Sequence, residues 1–243
     1  MMVTTNAGAT WKRLQSSSQF IASVAMALAG GHIFGIVLPQ DSDWRLAELS
    51  IHGGAWRMLD TTMPHGALFD SQIPVGVDPD DPATMYADVQ LNNISSIIAT
   101  HDGGVSWRVV QKLPGAQRVS IWTTHRHQVF VEQIVGQDVT YQMYYSKDSG
   151  ATWHGIGLHY KGGGEPVYVG ADGDIVVTRT AYSATSDNLF TLDPNTGVFT
   201  LLGTYPLPPG LTFGSVIEGA TPALILGSMS DTFVLYLSTS KMP

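Results

Sequence analysis

The residues in this 243-residue chain that could do chemistry are mostly carboxylates and aromatics. Asp41, Asp43, Asp60, Asp138, Glu165, Asp187 and Asp231 fall in polar connections between apolar runs, with Trp44, Tyr160, Tyr182 and Tyr205 beside them. Two carboxylates facing each other across a cleft are what glycosidic bond cleavage requires. An acidic rim set with aromatic rings could equally hold a sugar or a cation without any reaction. No pair among these residues stands out by its spacing, and Asp is a common loop residue in its own right. The segment GLHYKGGGEP, residues 157–166, surrounds its glycines with His159, Tyr160, Lys161 and Glu165. It reads either as a flexible lip whose aromatic covers a ligand or as a loose connection.

Other chemistries find less support. His125 and His127 stand two apart in a stretch that reads as a turn, without a nearby carboxylate, and are taken as surface histidines rather than metal ligands. Asp172-Gly173-Asp174 offers oxygen ligands but reads as a tight hairpin turn. No metal site is expected. With no cysteine there is no thiol nucleophile and no disulfide framework. No phosphate-binding loop, nucleophile elbow or zinc-protease string is present, so no cofactor is expected. Twelve Lys and Arg against 20 Asp and Glu leave a net charge of -8, the wrong sign for a nucleic-acid partner. The apolar stretch FIASVAMALAGGHIFGIVL, 20–38, is long enough to span a bilayer, but Gly30-Gly31 and His32 split it. We read it as two buried strands joined by a Gly-Gly turn, so no membrane span is expected.

The elements that would position such residues are set by a repeat. TTNAGATW at 4–11, THDGGVSW at 100–107 and SKDSGATW at 146–153 are copies of one string, with degraded forms in SIHGGAW and LDPNTGVF. Their closing aromatics stand at 11, 56, 107, 153 and 199, at steps of 45, 51, 46 and 46 residues. Between them lie short β-rich runs bounded by Gly, Pro, Asn or Asp, such as RVSIWTT, QVFVEQIV and TYQMYYS. Three runs plus the one that follows the aromatic make a four-stranded meander of about 40–50 residues, the size of a β-propeller blade. The spacing therefore predicts an all-β, five-bladed propeller forming a single domain over 1–243, and a monomer is expected. Closure is expected by the N-terminal strand completing the C-terminal blade, the alternative being a piece of a longer propeller.

Each string is expected in the hairpin between the third and fourth strands. Asp102 and Asp148, with Asn6 in the first copy, would accept backbone N–H bonds within their own turn. Gly8, Gly104 and Gly150 would provide left-handed backbone where the chain reverses. Ser106 and Thr152 would tie back to the acid, and Trp11, Trp107 and Trp153 would plug the seams.

The pattern S/T-x-D-x-G-x-T-W resembles the Asp-box, or BNR repeat, of sialidases, xyloglucan-active glycoside hydrolases, sortilin-type receptors and photosystem II assembly factors. DPDDPATMYADV, 78–89, is similar to the lead-in to a second strand in the last three of these. The resemblance implies that the Asp-box residues are structural and lie away from any active site. It also implies ligand sites at the axial mouth, lined by loops that lead into first strands and join second to third. Asp41, Asp43, Trp44, Tyr160, Glu165 and Asp187 are the candidates there. Sialidase chemistry would need an arginine triad and an Arg-Ile-Pro motif, where this chain has Gln72-Ile73-Pro74. Arg13, Arg57 and Arg108 fall on outer strands. The expectation is a non-enzymatic binding or scaffold module for a carbohydrate or protein ligand, exported or at the cell surface as such propellers often are. A glycoside hydrolase or sialidase-like enzyme is the alternative.

Overall fold

The computed structural model describes residues 2–3, 9–13, 20–39, 44–60, 62–67, 75–124, 127–136, 140–161, 166–169, 175–179, 186–193, 198–206, 211–217, 223–228 and 234–236. All regular structure among them is β. A short antiparallel pair, β1 (Met2–Val3) and β2 (Lys12–Arg13), comes first. Four antiparallel meanders follow. The first is β3 (Phe20–Ala29), β4 (His32–Pro39), β5 (Arg45–Ser50) and β6 (Arg57–Met58). The second is β7 (Val75–Val77), β8 (Met85–Leu91), β9 (Ile94–Thr100) and β10 (Arg108–Leu113). The third is β11 (Ala116–Thr124), β12 (Gln128–Val135), β13 (Thr140–Ser146) and β14 (His154–Lys161). The fourth is β15 (Pro166–Val169), β16 (Ile175–Arg179), β17 (Ser186–Asp193) and β18 (Val198–Pro206). A last sheet holds β19 (Leu211–Ile217), β20 (Ala223–Ser228) and β21 (Val234–Tyr236).

The sheets are arranged by their first strands. β3 packs on β7, β7 on β11, β11 on β15 and β15 on β19. The later strands of each meander therefore fan outward, and the seams between consecutive sheets hold the core. Strand β8 is apolar on both faces over Met85–Ala87 and alternates beyond, where Asp88 is half-buried and Gln90 exposed. Met85, Ala87 and Val89 face the first sheet, joining Phe34, Ile36, Leu46 and Leu59. Tyr86 points the other way, into a cluster with Val119, Ile121, Val129 and Val131 of the third sheet. Where the strand is buried on both faces, the polar alternation of a half-exposed strand is absent.

The 20–38 stretch forms β3 and β4 as expected, with Gly30 and Gly31 both left-handed at φ 54° and 75° in the turn. Gly30 also abuts the next sheet, since a Cβ there would meet Pro82 at 2.7 Å. No helix in the described residues is long and apolar enough to cross a membrane. The first-to-second strand pairings carry a register shift in four sheets, for instance between Ala116 and Arg118 and between Phe213 and Ser215.

Trp11 departs from the other aromatic anchors. It is 59% exposed, whereas Trp56 and Trp107 are each 8% exposed. Trp107 is covered by the preceding sheet through Leu59, whereas Trp56 is buried against its own sheet, beside Ile33, Val37, Ala47 and Leu49. Asn6 and Gly8 of the same string lie outside the described residues.

Candidate functional site

The two full hairpins, 100–107 and 146–153, sit between third and fourth strands and are chemically superposable. In the first, Thr100 Oγ1 donates to Asp102 Oδ1 at 2.7 Å and accepts the Gly104 N–H at 3.0 Å. In the second, Ser146 Oγ donates to Asp148 Oδ1 at 2.9 Å and accepts the Gly150 N–H at 2.8 Å. The same carboxylates accept the N–H of Ser106 and of Thr152, both at 2.8 Å, and their hydroxyls. The side-chain and backbone bonds from Ser106 draw Asp102 down to a pKa of about 2, and those from Thr152 do the same for Asp148. The role of Thr100 and Ser146 is one that spacing alone did not reveal.

Each hairpin is pressed onto the preceding sheet. Trp107 Nε1 donates to the Leu59 carbonyl at 2.7 Å, and Thr62 Oγ1 donates to the Gly104 carbonyl at 3.3 Å. Arg57, paired with Glu48 at 2.7 Å, spans the same seam to the Gly103 carbonyl. Gly150 lies against Tyr86 of the second sheet, where a Cβ would meet Cε1 at 3.1 Å. Trp153 packs against the same seam cluster as Tyr86, with its Nε1 bonded to the Gly150 carbonyl at 3.1 Å.

At the same end of the sheets, the β7–β8 loop forms a clasp. The Asp78 carboxylate is 2% exposed and accepts the N–H groups of Asp80 and Asp81 at 2.8 and 3.1 Å. Its other oxygen is 2.7 Å from Nδ1 of His127, in the β11–β12 hairpin of the next sheet. Thr84 Oγ1 donates to Asp81 Oδ2 at 2.8 Å and lies 3.2 Å from His101 Nδ1. With the hydroxyl proton used, His101 must donate from Nδ1, which leaves Nε2 to accept from Arg108 Nη2 at 3.3 Å. Burial and then the Arg108 charge lower the His101 pKa, in keeping with this neutral form. The Gly103 N–H donates to the Ala83 carbonyl at 3.0 Å, joining clasp to hairpin. His127 is thus not the idle surface residue expected from sequence: its ring is half-exposed, but one nitrogen serves a buried carboxylate. The spacing of Asp78-Pro79 and Asp81-Pro82 was the available signal for an ordered loop.

At the opposite end of the sheets, Trp44 is half-buried against the first seam with Met63, Ala67 and Leu91. Tyr160 is the next-to-last residue of β14, opposite Tyr141 and within a strand where the segment 157–166 was expected to be a loop, and Asp187 is the second residue of β17, opposite Tyr205. Strand direction places all three residues at one end of the sheets, away from the repeated hairpins. Asp41, Asp43 and Glu165, like Asp138, Tyr182, Asp231, His125 and the 172–174 turn, lie outside the described residues. Asp60, expected among the open acids, is 4% exposed and held bidentately by Arg45 at 2.6 and 2.7 Å, with the Leu46 N–H as a further donor. That carboxylate is committed to joining the start of β5 to the end of β6. Among the described residues no group of three His, Asp or Glu side chains is placed to hold a metal ion.

No protein-family model matches the chain, and no curated protein matches it in sequence. Solved structures do match in fold. TolB from Acinetobacter baumannii aligns with a TM-score of 0.55 at 14% identity, over 98% of this chain and 58% of that one. A sialidase of Trypanosoma rangeli in complex with the inhibitor DANA aligns at 0.56 and 13%, over 96% of this chain and 48% of that one. SapL1 lectin in complex with alpha methyl fucoside aligns at 0.54 and 12%, over 89% and 79%. The fold shared with these proteins is the β-propeller. The chain spans about half the length of the sialidase.

Proposed function

We propose that the chain is a non-enzymatic binding or scaffold module: an Asp-box propeller of five sheets in one domain over 1–243, exported or at the cell surface. The N-terminal strand completes the last sheet in this reading. The ligand, a carbohydrate or a protein surface, docks at the sheet ends that carry Trp44, Tyr160 and Asp187, and the flanking Asp41, Asp43 and Glu165 belong to the same rim. The observation that carries the reading is how five of the described acidic groups are used. Asp60, Asp78, Asp81, Asp102 and Asp148 each have their oxygens engaged by turn N–H groups, hydroxyls, Arg45 or His127. Carboxylates tied in this way hold the scaffold and are not poised as an acid–base pair.

The test is binding of the purified protein to a broad glycan and polysaccharide array, with bound spots checked for cleavage. Binding that is lost in Trp44→Ala, while urea unfolding stays cooperative, supports the reading. Cleavage of a bound glycan would replace it with the hydrolase alternative. A silent array, followed by capture of a defined protein ligand that needs Trp44, would assign the rim to a protein surface.

A further inference from the structure

The clasp joins two sheets through one titratable contact. The β11–β12 hairpin is held in two ways. Its His127 carbonyl accepts the Ser149 N–H at 3.2 Å, a bond within its own sheet that does not depend on protonation. Its imidazole reaches across the seam to Asp78 at 2.7 Å. The backbone of His127 is left-handed, at φ 59°, which a residue with a Cβ adopts only when its surroundings hold it there. We propose that the Asp78–His127 contact is a proton-operated latch between the second and third sheets, closed when the imidazole is charged and slack when it is neutral.

The physical reason lies in the charge arrangement. Asp78 is buried and satisfied by two backbone donors and the imidazole. A buried carboxylate is tolerated when a cation compensates it. Asp80 and Asp81 share its loop and add negative charge to the same place. From the hairpin at 146–153, Lys147 and Asp148 flank Ser149, and from β8 and β10 come the Tyr86 hydroxyl and Arg108. His125 and Arg126, next to His127 in sequence, are outside the described residues. The hydrogen bond and charge of Asp78 raise the His127 pKa above its ordinary value of about 6.5. A group raised in the folded state stabilises fully below that ordinary value, and the stabilisation is lost as pH rises through the folded value. The neutral ring can still donate from Nδ1, but the attraction between imidazolium and carboxylate charges is lost. The loop is then left with three acidic residues, Asp78, Asp80 and Asp81, and without the imidazolium charge that faced them across the seam.

The experiment combines an NMR titration of the His127 ring with hydrogen exchange of segments 78–84 and 127–129, corrected for the intrinsic pH dependence of exchange. In the unaltered protein both segments are expected to lose about tenfold in protection between pH 6 and pH 9, with the midpoint at the ring's own titration. Segments from the centre of β8 and β9 should not change. His127→Gln, altered at a half-exposed side chain, should show low protection at both pH values and no step. Asp78→Asn should bring the ring's midpoint down toward 6.5, and if that variant does not fold, the other two measurements decide. A pH-independent protection in the unaltered protein, a step that survives His127→Gln, or a ring titrating at or below 6.5 would each overturn the latch.

Discussion

Gly103 and Gly104 are adjacent, both left-handed, at φ 70° and 86°, and differ in what lies above them. A Cβ on Gly103 would find only Arg57 Nη2, at 3.8 Å. A Cβ on Gly104 would meet the Leu59 carbonyl oxygen at 2.9 Å, its Cβ at 3.1 Å and its Cα at 3.2 Å. Substituting Ala at either position incurs the left-handed backbone penalty of about 1 kcal/mol. At Gly104 a collision with the main chain of another sheet is added, and overpacking of this kind costs about 1–3 kcal/mol. We therefore expect about 1 kcal/mol for Gly103→Ala and about 3 kcal/mol for Gly104→Ala, the latter worth roughly 6–12 °C in a domain of this size. The second hairpin provides an internal control, because Ser149 stands where the first has Gly103 and is left-handed at φ 54°. Gly103→Ser should accordingly be as mild as Gly103→Ala. Urea unfolding followed by tryptophan fluorescence measures all three. If Gly104→Ala is no worse than Gly103→Ala, the hairpin is not clamped on Leu59 and the seam-plug account of the repeat fails.

Further outcomes follow from the same contacts. Trp107→Phe keeps most of the packing but leaves the buried Leu59 carbonyl without its donor, and should cost about 1–3 kcal/mol in urea unfolding. Because Asp102 and Asp148 are drawn down to about 2, their stabilisation is complete above about pH 4 and lost as pH falls through about 2. Asp102→Asn with Asp148→Asn should flatten the urea midpoint over that interval, and an unchanged acid limb would count against the assignment. The Tyr86 hydroxyl is buried beside Ser149 without a hydrogen bond of good geometry, and burial followed by the Asp78 charge pushes its pKa far up, with Ser149 opposing the shift. Tyr86→Phe should thus be neutral or stabilising by up to about 1 kcal/mol, and a loss of more than that would mean the hydroxyl is bonded in solution.

The architecture was legible because it is written locally and repeatedly. QVFVEQIV and TYQMYYS, read as runs 128–135 and 140–146, are β12 and β13 residue for residue. The hairpin strings advertise their own turn, since the acid, glycine and hydroxyl that make it are within a few positions of one another. Contacts between sheets were not legible, because the partners are far apart in the chain. Asp78 and His127 are 49 residues apart, and Trp107 and Leu59 are 48 apart. No periodicity announces which acid will meet which base at such distances. Asp60 was misjudged for the same reason: as a loop acid it looks available, and only its meeting with Arg45, 15 residues earlier, removes it from any rim. The rim residues themselves were chosen by strand direction, which puts Trp44, Tyr160 and Asp187 at one end of the sheets but does not specify what they bind.

The packing of each repeated hairpin onto the sheet just before it bears on how mutations combine. Hairpin 100–107 touches Leu59, Arg57 and Thr62, while hairpin 146–153 touches Tyr86 and Val110. Energetic coupling in such an array runs from neighbour to neighbour, as in stacked repeat proteins. Paired substitutions at Gly104 and Leu59, which share one contact, should be strongly non-additive. Pairs such as Gly104 with Trp153, each on its own seam, should add to within about 0.5 kcal/mol. Drift in one seam is then invisible to a seam two sheets away, which gives each repeat freedom to lose its consensus, as SIHGGAW and LDPNTGVF have, without the other sheets having to compensate.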